Sequence, residues 1–285
     1  MKRILLLFTV FFLAFTVNGQ ELKNSLLWRI SGNGLEAPSY LYGTMHALCE
    51  VNLSPATLSS LDETSRLCLE IDMDDPNLQV EMAEGSLMSN DTKISSFCSS
   101  KEFQILDRFL NENIGISLKM VDQYKPFLIN AMLLPKLLEC PIQSVETTLM
   151  DITKKSNKDI IGLESISTQL SMFDKIPYKE QIKELIKSAS DQLDFQKSET
   201  QDLISLYESE NIEALEKKIK ESENILFRNY SDILLNDRNV SWIPLIEKYA
   251  KEAPTFFGVG AAHLAGENGV IKLLQKNGYT VEAIK

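Results

Sequence analysis

The sequence predicts an α/β fold: a mixed central sheet built from the N- and C-terminal segments, with a large helical insertion in the middle. Three observations predict it. Strand-like runs cluster before residue 74 and after Pro254. Residues 76–250 read as mostly helical, interrupted by one strand-like run, Asp159–Glu164. No Pro/Gly/Ser-rich linker divides the chain, so 20–285 is read as one domain.

The elements follow in order. Leu26–Ile30, the turn Ser31-Gly32-Asn33-Gly34 and Ser39–Gly43 form a hairpin pattern. Ser54-Pro55 opens a helix, with Ser as N-cap and Pro at the first helical position. Leu67–Met73 is a strand whose alternation puts Glu70 and Asp72 on one face. Ile182, Leu185, Ile186, Ala189 and Leu193 repeat at helical spacing, as do Ile212, Leu215 and Ile219. Lys and Glu back both stripes and form their solvated face. Thr255–Gly260 is a strand, residues from about Glu267 to Lys276 a helix stopped by Asn277-Gly278, and Tyr279–Ile284 a last strand.

Composition narrows the function. With 44% apolar and 24% charged residues over 285 positions, the chain is globular rather than disordered. Forty acidic against 29 basic residues give a net charge of −11, which argues against a nucleic-acid partner, because phosphate binding needs clustered Lys and Arg. Lys2 and Arg3 precede an apolar run from Ile4 to Val17 that only Thr9 and Thr16 interrupt, and Asn18-Gly19 closes it. This predicts a secretory signal peptide over residues 1–19, a periplasmic or secreted protein, and no membrane anchor in the mature chain. Export permits disulfides among Cys49, Cys68, Cys98 and Cys140, in any of three pairings. Asn52-Leu53-Ser54 and Asn239-Val240-Ser241 also fit the glycosylation pattern.

The chemistry centres on the two histidines, the only ones in the chain. Each is the fourth residue of Gly-x-x-His after an aromatic, apolar strand: Gly43-Thr44-Met45-His46 and Gly260-Ala261-Ala262-His263. Strand C-termini in α/β folds line the ligand crevice, and glycine lets backbone approach closely there. Two imidazoles and a carboxylate make a divalent-metal set with positions left open. Glu70 and Glu164 are the carboxylates at strand ends. A buried unpaired carboxylate is costly, so a metal, an arginine partner or a raised pKa has to resolve each. The HExxH motif is absent, which excludes ordinary zincin chemistry.

These motifs resemble the TraB/GumN family, related to the Tiki metalloproteases and more distantly to the erythromycin-esterase type of fold. Leu41–His46 resembles the family's first Gly-x-x-His, and Leu69-Glu70 its strand glutamate. Asp159–Ser165 with Gln169 resembles the central Gly-Leu-Glu segment, and Arg238-Asn239 the Arg-Asn pair. Phe257–Leu264 followed by Gly266–Val270 resembles the closing motif and is the most specific part.

The resemblance implies a metal-dependent hydrolase with His46, His263 and Glu70 around a divalent ion (Mn, Co or Zn), acting on a peptide or protein. Glu70 then serves as metal ligand or general base, with Glu164 as second candidate for the base. Arg238 orients a carboxylate or stabilises an oxyanion. Two other readings stand beside it. One is a binding protein that sequesters a peptide, haem or metal in the same pocket without turnover. The other is a scaffolding protein whose histidines are merely satisfied.

Overall fold

The computed structural model describes residues 22–285; the expected signal peptide, residues 1–19, lies outside them. Six strands form one mixed sheet: β1 (Leu27–Gly32), β2 (Ser39–Thr44), β3 (Arg66–Ile71), β4 (Asp159–Glu164), β5 (Thr255–Gly260) and β6 (Tyr279–Ile284). Their spatial order is β4-β3-β5-β2-β1-β6. The α/β class with a mixed sheet is therefore as expected.

β1 pairs antiparallel with β2 through the predicted hairpin and antiparallel with β6 on its other side. The rest is parallel: β2 with β5, β5 with β3, and β3 with β4. Consecutive residues of β2 and β5 are buried, as a sheet covered on both faces requires. Leu41, Leu67, Phe256, Phe257 and Val259 are fully enclosed.

The register decides where the site forms. Thr44 pairs with Gly260, so the two Gly-x-x-His motifs leave the sheet side by side from neighbouring parallel strands. Leu69 pairs with Gly258, and Ile71 with Glu164. The ends of β2, β5, β3 and β4 therefore bring His46, His263, Glu70 and Glu164 to one edge.

Helices occupy most of the chain between β3 and β5. The helix Asp237–Glu252 packs Trp242, Ile243 and Ile246 into the core of the sheet. Helices Ser100–Ile114 and Tyr178–Ser190 build a second apolar cluster of their own, around Leu106, Phe109, Leu110, Ile182 and Leu185. Local signals explain the boundaries. Ser54 Oγ accepts from Thr57 N at 3.0 Å and Pro55 begins the helix Pro55–Asp62. The expected helix from Glu267 begins only at Val270, because Gly266-Glu267-Asn268-Gly269 makes a turn with Gly266 at φ +89°. β3 stops at Ile71 rather than Met73, since Asp72 Oδ1 accepts from Asp74 N at 3.0 Å and turns the chain.

Of the possible pairings, Cys49 and Cys140 form the disulfide, across a separation of 91 residues; Cys68 and Cys98 are free. The Cys49→Ser/Cys140→Ser variant should lose about 2–4 kcal/mol of stability. Urea unfolding without reductant measures it, and an unchanged midpoint would show that the bridge constrains nothing.

Candidate functional site

The site starts from Glu70. The side chain alternates with Leu69 and Ile71 and emerges at the end of β3, 8% exposed. Its Oε1 accepts the Gly260 N–H at 2.8 Å, and Oε2 accepts from Arg238 Nη2 at 2.5 Å and from Gln169 Nε2 at 3.2 Å. The approach explains the glycine: a Cβ on Gly260 would lie 3.2 Å from Glu70 Oε1. At the first motif a Cβ on Gly43 would press on Leu264 at 2.8 Å. Burial pushes the Glu70 carboxyl up, but the Arg238 guanidinium and His46 facing it, and the Gly260 N–H, hold it below the usual carboxylate range. An arginine partner, not a raised pKa, thus resolves this buried carboxylate.

Glu164 shares that partner. Its Oε1 accepts from Arg238 Nε at 3.0 Å and Nη2 at 2.5 Å, and from Gln169 Nε2 at 3.2 Å. Its Oε2 accepts from Trp242 Nε1 at 3.3 Å. Both oxygens are engaged, so Glu164 fixes the guanidinium. Arg238 follows a π-helical turn, Asp232–Asn236, a feature often found at functional sites. Its guanidinium lies 4.6 Å from the Trp242 ring centre, which supports the plane from one side.

His263 is 3% exposed and packs tilted against Trp242, with ring centres 4.6 Å apart. Asn239 Nδ2 donates to the Asn268 carbonyl at 2.9 Å, so Asn239 Oδ1 is the acceptor 2.6 Å from His263 Nδ1. That assigns the proton to Nδ1 and leaves the lone pair on Nε2. Nε2 sits 3.1 Å from Arg238 Nη1, which donates to it, and 3.7 Å from Glu70 Oε1. Burial holds His263 well below the ordinary imidazole range, at about 3, against the pull of the Glu70 carboxylate and helped by the positive charges of Arg238 and His46. It is a neutral imidazole. Asn239 is 1% exposed and used at both ends, so the Asn239-Val240-Ser241 pattern is not a glycosylation acceptor.

His46 differs. Its side chain is 68% exposed, and its Nδ1 lies 2.8 Å from Glu146 Oε1. Glu146, at the start of the helix Val145–Lys155, is buried, and its other oxygen accepts from Ser144 Oγ at 2.6 Å. The contact with Glu146 raises the His46 pKa to about 9, against partial desolvation of the ring, so the free ring is protonated and an ion at Nε2 has to displace that proton. The Glu146 carboxylate lies on the Nδ1 side of His46, so Nε2 is the nitrogen on the side away from it.

His46, Glu70, Gln169, Arg238 and His263 line one cavity of about 490 Å³. Glu164 does not reach it and acts from behind Arg238. Sequence reasoning missed Glu146. An acidic residue one turn from a helix start reads as ordinary helix-end charge, and only its burial marks it out. Gln169 entered through the family resemblance alone, and Asn239 through that resemblance and a glycosylation pattern.

The donor chemistry suits a divalent ion: two imidazoles, one with Nδ1 held by the Asn239 amide oxygen and one ion-paired with Glu146, beside the Glu70 carboxylate. Among the described residues, however, no three His, Cys, Asp or Glu side chains converge at ligand spacing. The positive charge at the centre is Arg238, whose Nη1 takes the His263 lone pair. The residues fit such an ion by chemistry, with Arg238 as its competitor at Nε2.

Fold and site together define an α/β protein with a His-Glu-Arg cluster at the C-terminal ends of parallel strands. The chain belongs to the TraB/PrgY/gumN family, whose model matches residues 26–283. No curated protein and no solved structure matches it.

Proposed function

We propose that this chain is an exported, metal-dependent hydrolase of peptide-like bonds, with His46, His263 and Glu70 holding one divalent ion. One observation carries the reading: the only two histidines of the chain and the Glu70 carboxylate line one cavity, with an Asn239 acceptor at His263 Nδ1 and the Glu146 carboxylate 2.8 Å from His46 Nδ1. When bound, such an ion supplies Lewis-acid polarisation of a carbonyl and lowers the pKa of water. Export is supported by the leader-like first 19 residues and by the Cys49–Cys140 bridge.

The protein's own groups divide the remaining work. Glu70, held below the usual carboxylate range by Arg238, stays anionic and is a weak proton acceptor near neutral pH. It serves better as a ligand than as a general base. Arg238 keeps Glu70 in place and is the donor closest to His263 Nε2, where it can meet a developing oxyanion. Asn239 holds His263 in its Nδ1–H tautomer, and Glu146 pairs with His46. A second reading, capture of a ligand without turnover, draws on the apolar walls of the same cavity.

The first test is metal content by mass spectrometry on residues 20–285, beside the His46→Ala/His263→Ala double variant. About one Mn, Co, Fe or Zn per chain, lost in the folded double variant, is the expected result. No metal in either form, after incubation with each ion, sinks the metal mechanism. Glu146→Gln should weaken metal affinity about 10–100-fold, because the imidazole loses its orienting charge. Calorimetric titration with Mn or Zn measures this, and an unchanged affinity would reduce Glu146 to a packing residue.

A further inference from the structure

The cavity holds more than the cluster. Its remaining wall comes from helices of the insertion and is largely apolar: Phe127 and Leu128, Phe173, Leu203, Leu215 and Phe227. The polar groups among these helices are already paired. Lys218 Nζ bonds Asp202 at 2.5 Å, and Ser222 Oγ bonds Glu199. Gln169 is committed to Glu70 and Glu164. Recognition on this wall therefore runs through burial of apolar surface, while the polar orientation comes from the opposite wall with His46, Glu70, Arg238 and His263.

Close-packed interiors leave few voids larger than a water molecule. A cavity of about 490 Å³ falls in the size range of small-molecule and side-chain pockets. Met45, Met82 and Met172 also line it, and Met82 is 45% exposed, so the cavity reaches the surface beside an adaptable, polarisable rim.

We infer that this wall is a substrate subsite for one bulky apolar group, aliphatic or aromatic, that lies next to the bond presented to the cluster. The inference rests on the hydrolase reading for the bond but not for the binding. The same chemistry has two sources, a Leu or Phe side chain of a peptide and the acyl chain of an N-acyl amide. Either seats carbon against the helix wall and turns its amide to Arg238 and the histidines.

The experiment is equilibrium binding to the Glu70→Gln form of residues 20–285. The probes are matched blocked tripeptides with central Ala, Leu or Phe, and N-octanoyl against N-acetyl glycine amide. The expected result is that the Leu, Phe or octanoyl member binds about tenfold or more tightly than its small partner. Leu203→Trp, which fills the half-buried wall, should remove that preference with circular dichroism and melting unchanged. Leu128→Trp repeats the test from another helix, should the first variant fail to fold. Preference in the peptide pair alone assigns a side-chain pocket, and in the acyl pair alone an acyl pocket. Equal binding within both pairs overturns the inference, as does preference that survives both tryptophans. Absence of metal and turnover in the wild type would end the hydrolase reading and leave this result standing. Turnover without apolar preference would do the reverse.

Discussion

Arg238→Met should destabilise the protein by about 3–5 kcal/mol, the range for stripping the partner from buried ion pairs. The cause is the number of groups that depend on one guanidinium. Arg238 donates to Glu70, Glu164 and His263 and lies against Trp242. Met matches much of the stem but none of the charge, so two buried carboxylates face each other without compensation. A lysine cannot repair this, because one ammonium lacks the planar fork that spans both carboxylates. Arg238→Lys should therefore fall between the wild type and Arg238→Met. In a double-mutant cycle, Glu164→Gln should recover part of the loss in the Arg238→Met background. Urea unfolding of the metal-free proteins reads the wild type, both Arg238 variants, Glu164→Gln and the double variant. A loss below about 1 kcal/mol for Arg238→Met would mean that water or protons already neutralise the two glutamates.

Much of this site was legible from the sequence because strand-end residues are fixed by a two-residue period. Glu70, Glu164 and the two Gly-x-x-His segments each sit where an apolar run stops, and parallel pairing then carries their ends to one edge. What pairing decides was not legible. That Thr44 lies beside Gly260 follows from strand order, which no local pattern encodes. Arg238 had two candidate roles in the sequence, and its pairing with both glutamates is a tertiary fact.

Glu146 was invisible for a related reason. Its neighbour His46 lies 100 residues earlier, and helix-start acids are common enough to raise no question. Asn239 carried a misleading signal, since its glycosylation pattern is local and its burial against His263 is not. Disulfide pairing failed similarly: Leu48 and Gln143 exchange backbone hydrogen bonds beside Cys49 and Cys140, a contact that spacing does not reveal.

Glu70→Gln should abolish most turnover while leaving the protein folded, because a ligand of the ion the reaction needs loses its charge. The amide is nearly the same size, and its oxygen can still accept the Gly260 N–H. Glu164 still pairs with Arg238, so the guanidinium is not orphaned and the stability cost stays below that of Arg238→Met. What disappears is the negative charge beside His263 Nε2, 3.7 Å away, on which any cation in the cavity depends. Metal affinity should fall with it, which separates Glu70 as a ligand from Glu70 as a general base. A base variant keeps its ion and loses only turnover, whereas a ligand variant loses both. Glu164→Gln is the control for charge alone, because Glu164 stands behind Arg238 and does not line the cavity. It should cost stability with a smaller kinetic effect. Equal kinetic losses in the two variants would place both carboxylates in the role of holding Arg238. Full activity in Glu70→Gln would move the chemistry to His46 and Glu146.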